Sequence, residues 1–224
     1  MSSLIVERRY NGPPGSGNGG WTCGLVASLV DSPQGTVVTL RVPPPLETPL
    51  AGRPLGEGIG VYAPDGTLVA EVAPAPLDEP PVEPVAWDVA LGLVSTYPGF
   101  VDHPFPTCFV CGPQRAPGDG LRLFSGRLPD GRTATAWTVP EDVSAPLVWA
   151  CLDCPGGWSA AFEGRPFVLG RLAARIDALP GPGERCVVMG ETIGLDGRKA
   201  YVRSTLYGAD GRLLANARAT WLTI

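Results

Sequence analysis

The chain repeats itself, and the repetition limits what it can fold into more than any count of its residues. VYAPDGTLVAEV, from Val61 to Val72, aligns with LYGADGRLLANA, from Leu206 to Ala217, at an offset of 145. Tyr62, Asp65, Gly66, Leu68 and Ala70 fall on Tyr207, Asp210, Gly211, Leu213 and Ala215, and Val69 falls on Leu214. Each copy reads as a hairpin, because Asp-Gly provides the positive φ angles of a tight turn between two apolar runs. A second echo lies upstream, where WTCGLVASL (Trp21 to Leu29) aligns with WACLDCPGG (Trp149 to Gly157) at an offset of 128. Trp21 and Cys23 there fall on Trp149 and Cys151. The unequal offsets predict an extra strand between helix and hairpin in the second copy. Asp-Gly hairpins are common, but two matches in the same order favour duplication over chance. A chain of 224 residues divides into two units of roughly 100 residues, each large enough for its own core.

The expected elements agree between the halves. In the second half, GLRLFSGRL and RTATAWTVP flank Pro129-Asp130-Gly131, and a helix is expected from Ala145 to Phe162. Four strands follow in FVLGRLAARIDAL, RCVVMGETIG, KAYVRSTLYG and RLLANARATWLTI, separated by glycine-rich turns. In the first half, LIVERRYNG reads as a strand, a helix is expected from Gly20 to Val30, and TVVTLRV and the 61–72 hairpin follow. The proline-rich join is followed by helical character from Val85 to Thr96. These features place the units at 1–100 and 101–224.

Composition excludes several classes of function. Apolar residues make up 44% and charged residues 17%, as in folded globular chains rather than disordered ones. The net charge of −5 comes with scattered basic residues, so no patch matches a nucleic-acid backbone. No run approaches the roughly 20 apolar residues of a membrane span, and Glu7, Arg8 and Arg9 follow too short an apolar run for a signal peptide. The expectation is a cytoplasmic protein with no nucleic-acid or membrane partner, and six cysteines in such a chain read as reduced thiols.

A central helix after one or two strands, followed by antiparallel strands that wrap it, resembles the hotdog fold, and two such units resemble the double-hotdog acyl-CoA thioesterases. CFVCGP (Cys108 to Pro113) followed by GLRLF (Gly120 to Phe124) is similar to the entry to the first strand in PaaI-like hotdog proteins. NGPPGSGNGGWTCGLVASLVD (Asn11 to Asp31) is similar to the glycine-rich loop and helix start of many hotdog thioesterases. The resemblance implies an α+β double hotdog whose substrate is acyl-CoA or another acyl thioester. It implies no cofactor, and it leaves room for a homodimer of the tandem unit.

In that family a loop at the N-terminus of one hotdog helix polarises the thioester carbonyl, and an acid on the partner helix activates water or attacks the carbonyl. The matching loop residues are Asn18, Gly19 and Gly20. A first helical turn has free N–H donors, and glycine allows close approach of a ligand. The acid is Asp153, between Leu152 and Cys154 on an apolar segment where burial would raise its pKa toward that of a general base. The bland roles are an ordinary N-cap for Asn18 and, for Asp153, a carboxylate bonded to the Pro155-Gly156-Gly157 turn. At the offset of 128, Asp153 falls on Leu25, and Asn18-Gly19-Gly20 falls on Pro146-Leu147-Val148. Each half lacks what the other keeps, which predicts one composite site. Trp21, Trp149 and Trp158 are candidate walls of an acyl pocket, although large aromatics beside a core helix commonly serve packing. The same fold could also serve a non-catalytic protein that binds an acyl thioester or another small ligand.

Cys108-x-x-Cys111 and Cys151-x-x-Cys154 have zinc-ligand spacing. The pairs stand further apart than the roughly 15–20 residues of short zinc modules, one pair lies on the expected helix, and His103 reads as a loop residue. The reading therefore assigns no metal. A Ser-His-Asp hydrolase is disfavoured by the lack of a GxSxG elbow and by a single histidine. GSGNGG (Gly15 to Gly20) lacks both the Walker lysine and a dinucleotide-binding context.

Overall fold

The computed structural model describes residues 3–161 and 165–224. One short strand opens the order: β1 (Ser3–Leu4) precedes helix α1 (Gly19–Ala27), and β2 (Thr36–Leu40), β3 (Leu50–Leu55), β4 (Gly58–Tyr62) and β5 (Leu68–Pro74) follow. After a connector that carries α2 (Trp87–Gly92) come β6 (Gly126–Arg127), β7 (Thr133–Thr138), α3 (Ala145–Cys151), α4 (Cys154–Trp158), β8 (Phe167–Ile176), β9 (Arg185–Asp196), β10 (Lys199–Tyr207) and β11 (Leu213–Thr223). The strands make one antiparallel sheet in the order β1-β3-β4-β5-β2-β8-β11-β10-β9-β7-β6. Within the first half the order is first, third, fourth, fifth, second strand. Counting β7 as the first strand, the second half repeats that order, and the halves meet where β2 pairs with β8 from Thr36↔Ala174 to Thr39↔Arg171.

Side chains alternate across the sheet, as strand geometry requires. Cys186 and Val188 of β9 face the main core, whereas Val187 and Met189 face a smaller cluster with Val82 and Ala90. The main face carries α1, α3 and α4. The connector crosses the other face and is tied down where Val82 N–H donates to Thr205 Oγ1 at 2.9 Å and Tyr207 O–H donates to the Val82 carbonyl at 2.8 Å.

Small residues bring α1 and α3 together. A Cβ added at Gly20 would lie 2.9 Å from Ala150 Cα and one at Gly24 would lie 2.5 Å from Pro146 Cα, so glycine at both positions lets the backbones touch.

Several expected elements are altered. The helix expected from Ala145 to Phe162 is broken in two, and Phe162 itself lies outside the described residues. Pro155 has no N–H to donate back along a continuous helix and its ring would crowd the preceding turn. The chain leaves helical geometry at Asp153 (φ −77°, ψ −80°) and restarts with proline in the first turn of α4, where a missing N–H does no harm. Of LIVERRYNG only Leu4 lies in a strand, at the end of β1, and Arg8–Tyr10 form a 3-10 turn. GLRLFSGRL pairs with β7 only at Gly126 and Arg127, because Leu121 and Leu123 donate instead to the carbonyls of Phe109 and Val110. The strand β3 was not expected from the sequence. Its Pro54 and Gly52 carry no strand signal, and it is specified by pairing with β4. The extra strand expected in the second copy is not what separates the offsets, since each half places three strands after β2 or β8.

Candidate active site

The N-terminus of α1 and the break between α3 and α4 meet at one point. Asn18 caps α1, its Oδ1 accepting from Trp21 N–H at 2.8 Å. That geometry leaves its amide nitrogen to donate outward, and Nδ2 reaches Asp153 Oδ2 at 3.1 Å. Gly20 N–H donates to the same oxygen at 2.9 Å. A Cβ on Gly20 would sit 2.5 Å from Asp153 Cβ, so only glycine allows this approach without displacement. The helix break in turn aims the acid across at α1.

The donors of the first turn of α1 are then almost all spent. Gly20 N–H serves Asp153, Trp21 N–H serves the Asn18 side chain, and Thr22 N–H donates to the Asn18 carbonyl at 3.0 Å. Gly19 N–H is the first-turn donor for which no partner occurs among the described residues, and Gly19 lines a cavity of about 350 Å³. Asn18, Asp153, Trp158, Leu169 and Trp221 line the same cavity.

Asp153 is 1% exposed. Burial raises its carboxyl to about 7, opposed by the Gly20 and Asn18 hydrogen bonds and reinforced by charge on Cys108. Its Oδ1 has no hydrogen-bond partner among the described residues. Asp153 lines the cavity, and a carboxylate held through one oxygen keeps the other, here a buried Oδ1 without a partner among the described residues, to take a proton from a water that reaches it.

Thiols form one wall. The loop carrying Cys108 and Cys111 is fixed to the N-terminal segment where Phe109 N–H donates to the Asn11 carbonyl at 2.7 Å and Arg115 bridges Thr107 and Arg9. Cys108 Sγ lies 4.0 Å from Cys154 Sγ and 3.8 Å from Asn18 Nδ2. Hydrogen bonds from the Cys111 and Cys154 thiols hold Cys108 well below the usual thiol range, and those to Cys108 and Cys111, with burial, push Cys154 up. His103 Nε2 lies 3.3 Å from Cys111 Sγ, and burial lowers the imidazole pKa.

The structure thus brings Asn18, Gly19, Gly20 and Asp153 together, with Trp158 at the cavity. Two of the expected aromatic walls are elsewhere. Trp21 stacks on Tyr10 with ring centroids 3.6 Å apart and packs edge-on against Phe109, because on the helix it faces the loop rather than the cavity. Trp149 borders a second cavity of about 260 Å³ with Gly24, Ala27 and Ala145. Trp221 and Leu169, which the sequence reading missed, take their place. Both lie on long strands whose alternation marks them as inward but does not say what they face. All six cysteines are free thiols. Cys151 does not join Cys154: it ends α3, whereas Cys154 opens α4 beyond the helix break, and Cys151 is not among the sulfurs that cluster with Cys154.

No protein-family model matches the chain, and no curated protein matches it in sequence. Solved structures do. A conserved hot dog fold protein from Alicyclobacillus acidocaldarius matches 100% of this chain and 92% of its own at 14% identity, with a TM-score of 0.60. A protein proposed to be a thioesterase, from Novosphingobium aromaticivorans, matches 98% of this chain and 94% of its own at 16% identity, also with a TM-score of 0.60. A thioesterase superfamily protein matches in part, over 46% of this chain and 57% of its own, at 20% identity and a TM-score of 0.41. At these identities the likeness concerns the fold, and the chain has the hotdog fold. No helix among the described residues is long and apolar enough to cross a membrane.

Proposed function

We propose that the chain hydrolyses acyl-CoA or a related acyl thioester at a single site composed across two tandem hotdog units, residues 1–100 and 101–224. The observation that carries this reading is the contact of Asp153 Oδ2 with Gly20 N–H at 2.9 Å and Asn18 Nδ2 at 3.1 Å beside the cavity. The acid comes from one half and the helix N-terminus from the other. The tandem arrangement draws support from the repeated strand order and from the β2–β8 junction. The protein from Novosphingobium aromaticivorans that is proposed to be a thioesterase shares the fold over nearly the whole chain, which raises the expectation of thioester chemistry without establishing it.

In the proposed reaction the acyl chain occupies the apolar part of the cavity and the thioester oxygen accepts from Gly19 N–H. Asp153 Oδ1 takes a proton from water as the water oxygen attacks the carbonyl carbon. The C–S bond then breaks, and the leaving thiolate takes a proton from the Asp153 carboxyl. Asn18 and Gly20 are positioning residues, holding Oδ2 so that Oδ1 faces the reaction. A donor aimed at a developing oxyanion contributes about 10²–10³ in rate, and a placed general base about 10²–10⁴.

One site per chain follows from what the other half lacks. The counterpart of Asn18 is Pro146, which offers neither a side-chain donor nor an N–H, and the counterpart of Asp153 is Leu25. Gly24 packs directly against Pro146 there.

A second reading, a non-catalytic protein that binds an acyl thioester, is favoured by one observation: the Asp153 carboxylate already ties the two helices together. Hydrolysis of a panel of acyl-CoA esters by wild type and Asp153→Asn separates the two. Loss of about 10²-fold or more in kcat is expected. Unchanged hydrolysis in the variant would remove Asp153 from the reaction, and binding without turnover by wild type would support the second reading.

A further inference from the structure

Two segments distant in sequence deliver three sulfurs to one place. Cys108, Cys111 and Cys154 are all buried, and their sulfurs lie within 4.8 Å of one another. A tetrahedral ion with metal–sulfur bonds of about 2.3 Å separates its sulfurs by about 3.8 Å. The Cys108–Cys154 separation of 4.0 Å already matches that edge. His103 Nε2 stands 3.3 Å from Cys111 Sγ, near the roughly 3.5 Å edge that a zinc-bound imidazole and thiolate would share; it lies outside the group of sulfurs that are all within 4.8 Å of one another, so the ring must swing toward Cys108 and Cys154 to complete a tetrahedron.

The backbone is shaped for the same purpose. Gly112 follows the second cysteine, and a Cβ there would lie 2.5 Å from Cys108 N and 2.6 Å from both the Cys108 and Pro106 carbonyl oxygens. Only glycine fits a loop folded this tightly, and the fold turns both sulfurs toward Cys154. Asn18 Nδ2 approaches Cys108 Sγ at 3.8 Å, an outer-shell donor of the kind that supports a metal-bound thiolate.

We propose that Cys108, Cys111 and Cys154, with His103 Nε2 as fourth ligand, form a site for one thiophilic divalent ion of the zinc class. Soft thiolates with one imidazole in a closed tetrahedron select such ions over magnesium or calcium. Binding involves no redox step. The cation displaces the remaining thiol protons to solvent, and the imidazole stays neutral with its proton moved to Nδ1. The bond from Phe105 N–H to His103 Nδ1, 2.9 Å long, must therefore open, since a neutral imidazole has a single lone-pair nitrogen. The ion would pin the 108–112 loop to the start of α4, one residue from Asp153, and so fix one wall of the cavity. This inference does not depend on the proposed hydrolysis.

The test is metal content of the full chain purified under reducing conditions without chelator, followed by cobalt substitution. About one zinc per chain is expected, and the cobalt form should show the intense visible bands of a tetrahedral thiolate site. Cys108→Ser and Cys154→Ser should lose the ion, Cys151→Ser should keep it, and His103→Ala should shift the cobalt bands. Should the serine variants fail to fold, thiol titration of the native wild type replaces them, with metal protecting three thiols. The proposal is overturned by a metal-free chain that takes up no cobalt. It is equally overturned by a native disulfide among the three cysteines, or by equal metal loss in Cys151→Ser and Cys154→Ser. Cobalt bands unchanged in His103→Ala would remove His103 from the site.

Discussion

Replacing Gly20 with alanine tests the contact on which the composite site depends. The new Cβ would lie 2.5 Å from Asp153 Cβ, 2.8 Å from the Trp149 carbonyl oxygen and 2.9 Å from Ala150 Cα. Optimal carbon contacts fall near 3.5–4.0 Å, so α1 and α3 must part by roughly 0.5–1 Å. Overpacking of this kind costs about 1–3 kcal/mol. The better helix propensity of alanine returns about 1 kcal/mol at most, but stretching the Gly20–Asp153 bond forfeits part of the about 1.5–3 kcal/mol of a hydrogen bond to a charged group. A net loss of about 1–3 kcal/mol is expected, read as a lower Tm by about 2–4 °C per kcal/mol in a chain of this size. Displacing the acid by about 1 Å should lower kcat by about 10²-fold. Gly24→Ala is the control, because its Cβ meets Pro146 Cα at 2.5 Å and Trp149 Cβ at 2.9 Å, about 6 Å further along the helix. It should destabilise comparably and spare more of the activity of the folded protein. Wild-type Tm and kcat in Gly20→Ala, or equal loss of activity in both variants, would show that the Gly20–Asp153 contact does not set the position of the acid.

Two further substitutions address the cavity. Leu222, on its wall, changed to tryptophan should obstruct the acyl site and raise KM by about tenfold, equivalent to about 1.4 kcal/mol; steady-state kinetics with unchanged KM would place the substrate elsewhere. Arg165 is exposed at the cavity, and Arg165→Ala should raise KM for CoA esters by about two- to fivefold at low salt. A pantetheine ester without the nucleotide phosphates should respond less, and the difference should shrink with added salt; equal responses of the two esters would separate Arg165 from phosphate recognition.

The parts of this molecule that could be read from sequence are those specified locally. The strands β8 to β11 carry alternating apolar residues between glycine turns, and the Asp-Gly hairpin marks β4 and β5 directly. Asn18 announces the start of α1 as an N-cap with glycines behind it, and Asp153 stands out as an acid on an apolar segment where the resemblance to hotdog thioesterases expects one, with Leu25 at its counterpart position. The rest depends on contacts distant in sequence. Pro155 was visible, but whether it ended a helix or opened a new one depends on how Asp153 meets α1. Trp21 and Trp158 look alike as aromatics on or near helices, and only their neighbours, Tyr10 and Phe109 for one and the cavity for the other, tell them apart. In sequence the cysteines stand as two matched pairs, whereas the fold gathers three of them and leaves Cys151 out, a choice that spacing does not encode.

The central claim is one composite site per chain, and the stoichiometry of a non-hydrolysable acyl-CoA analogue, measured by titration calorimetry, tests it most directly. One analogue bound per chain is expected, with the heat reduced or abolished by Leu222→Trp. Two bound per chain, or one whose affinity ignores that substitution, would contradict it.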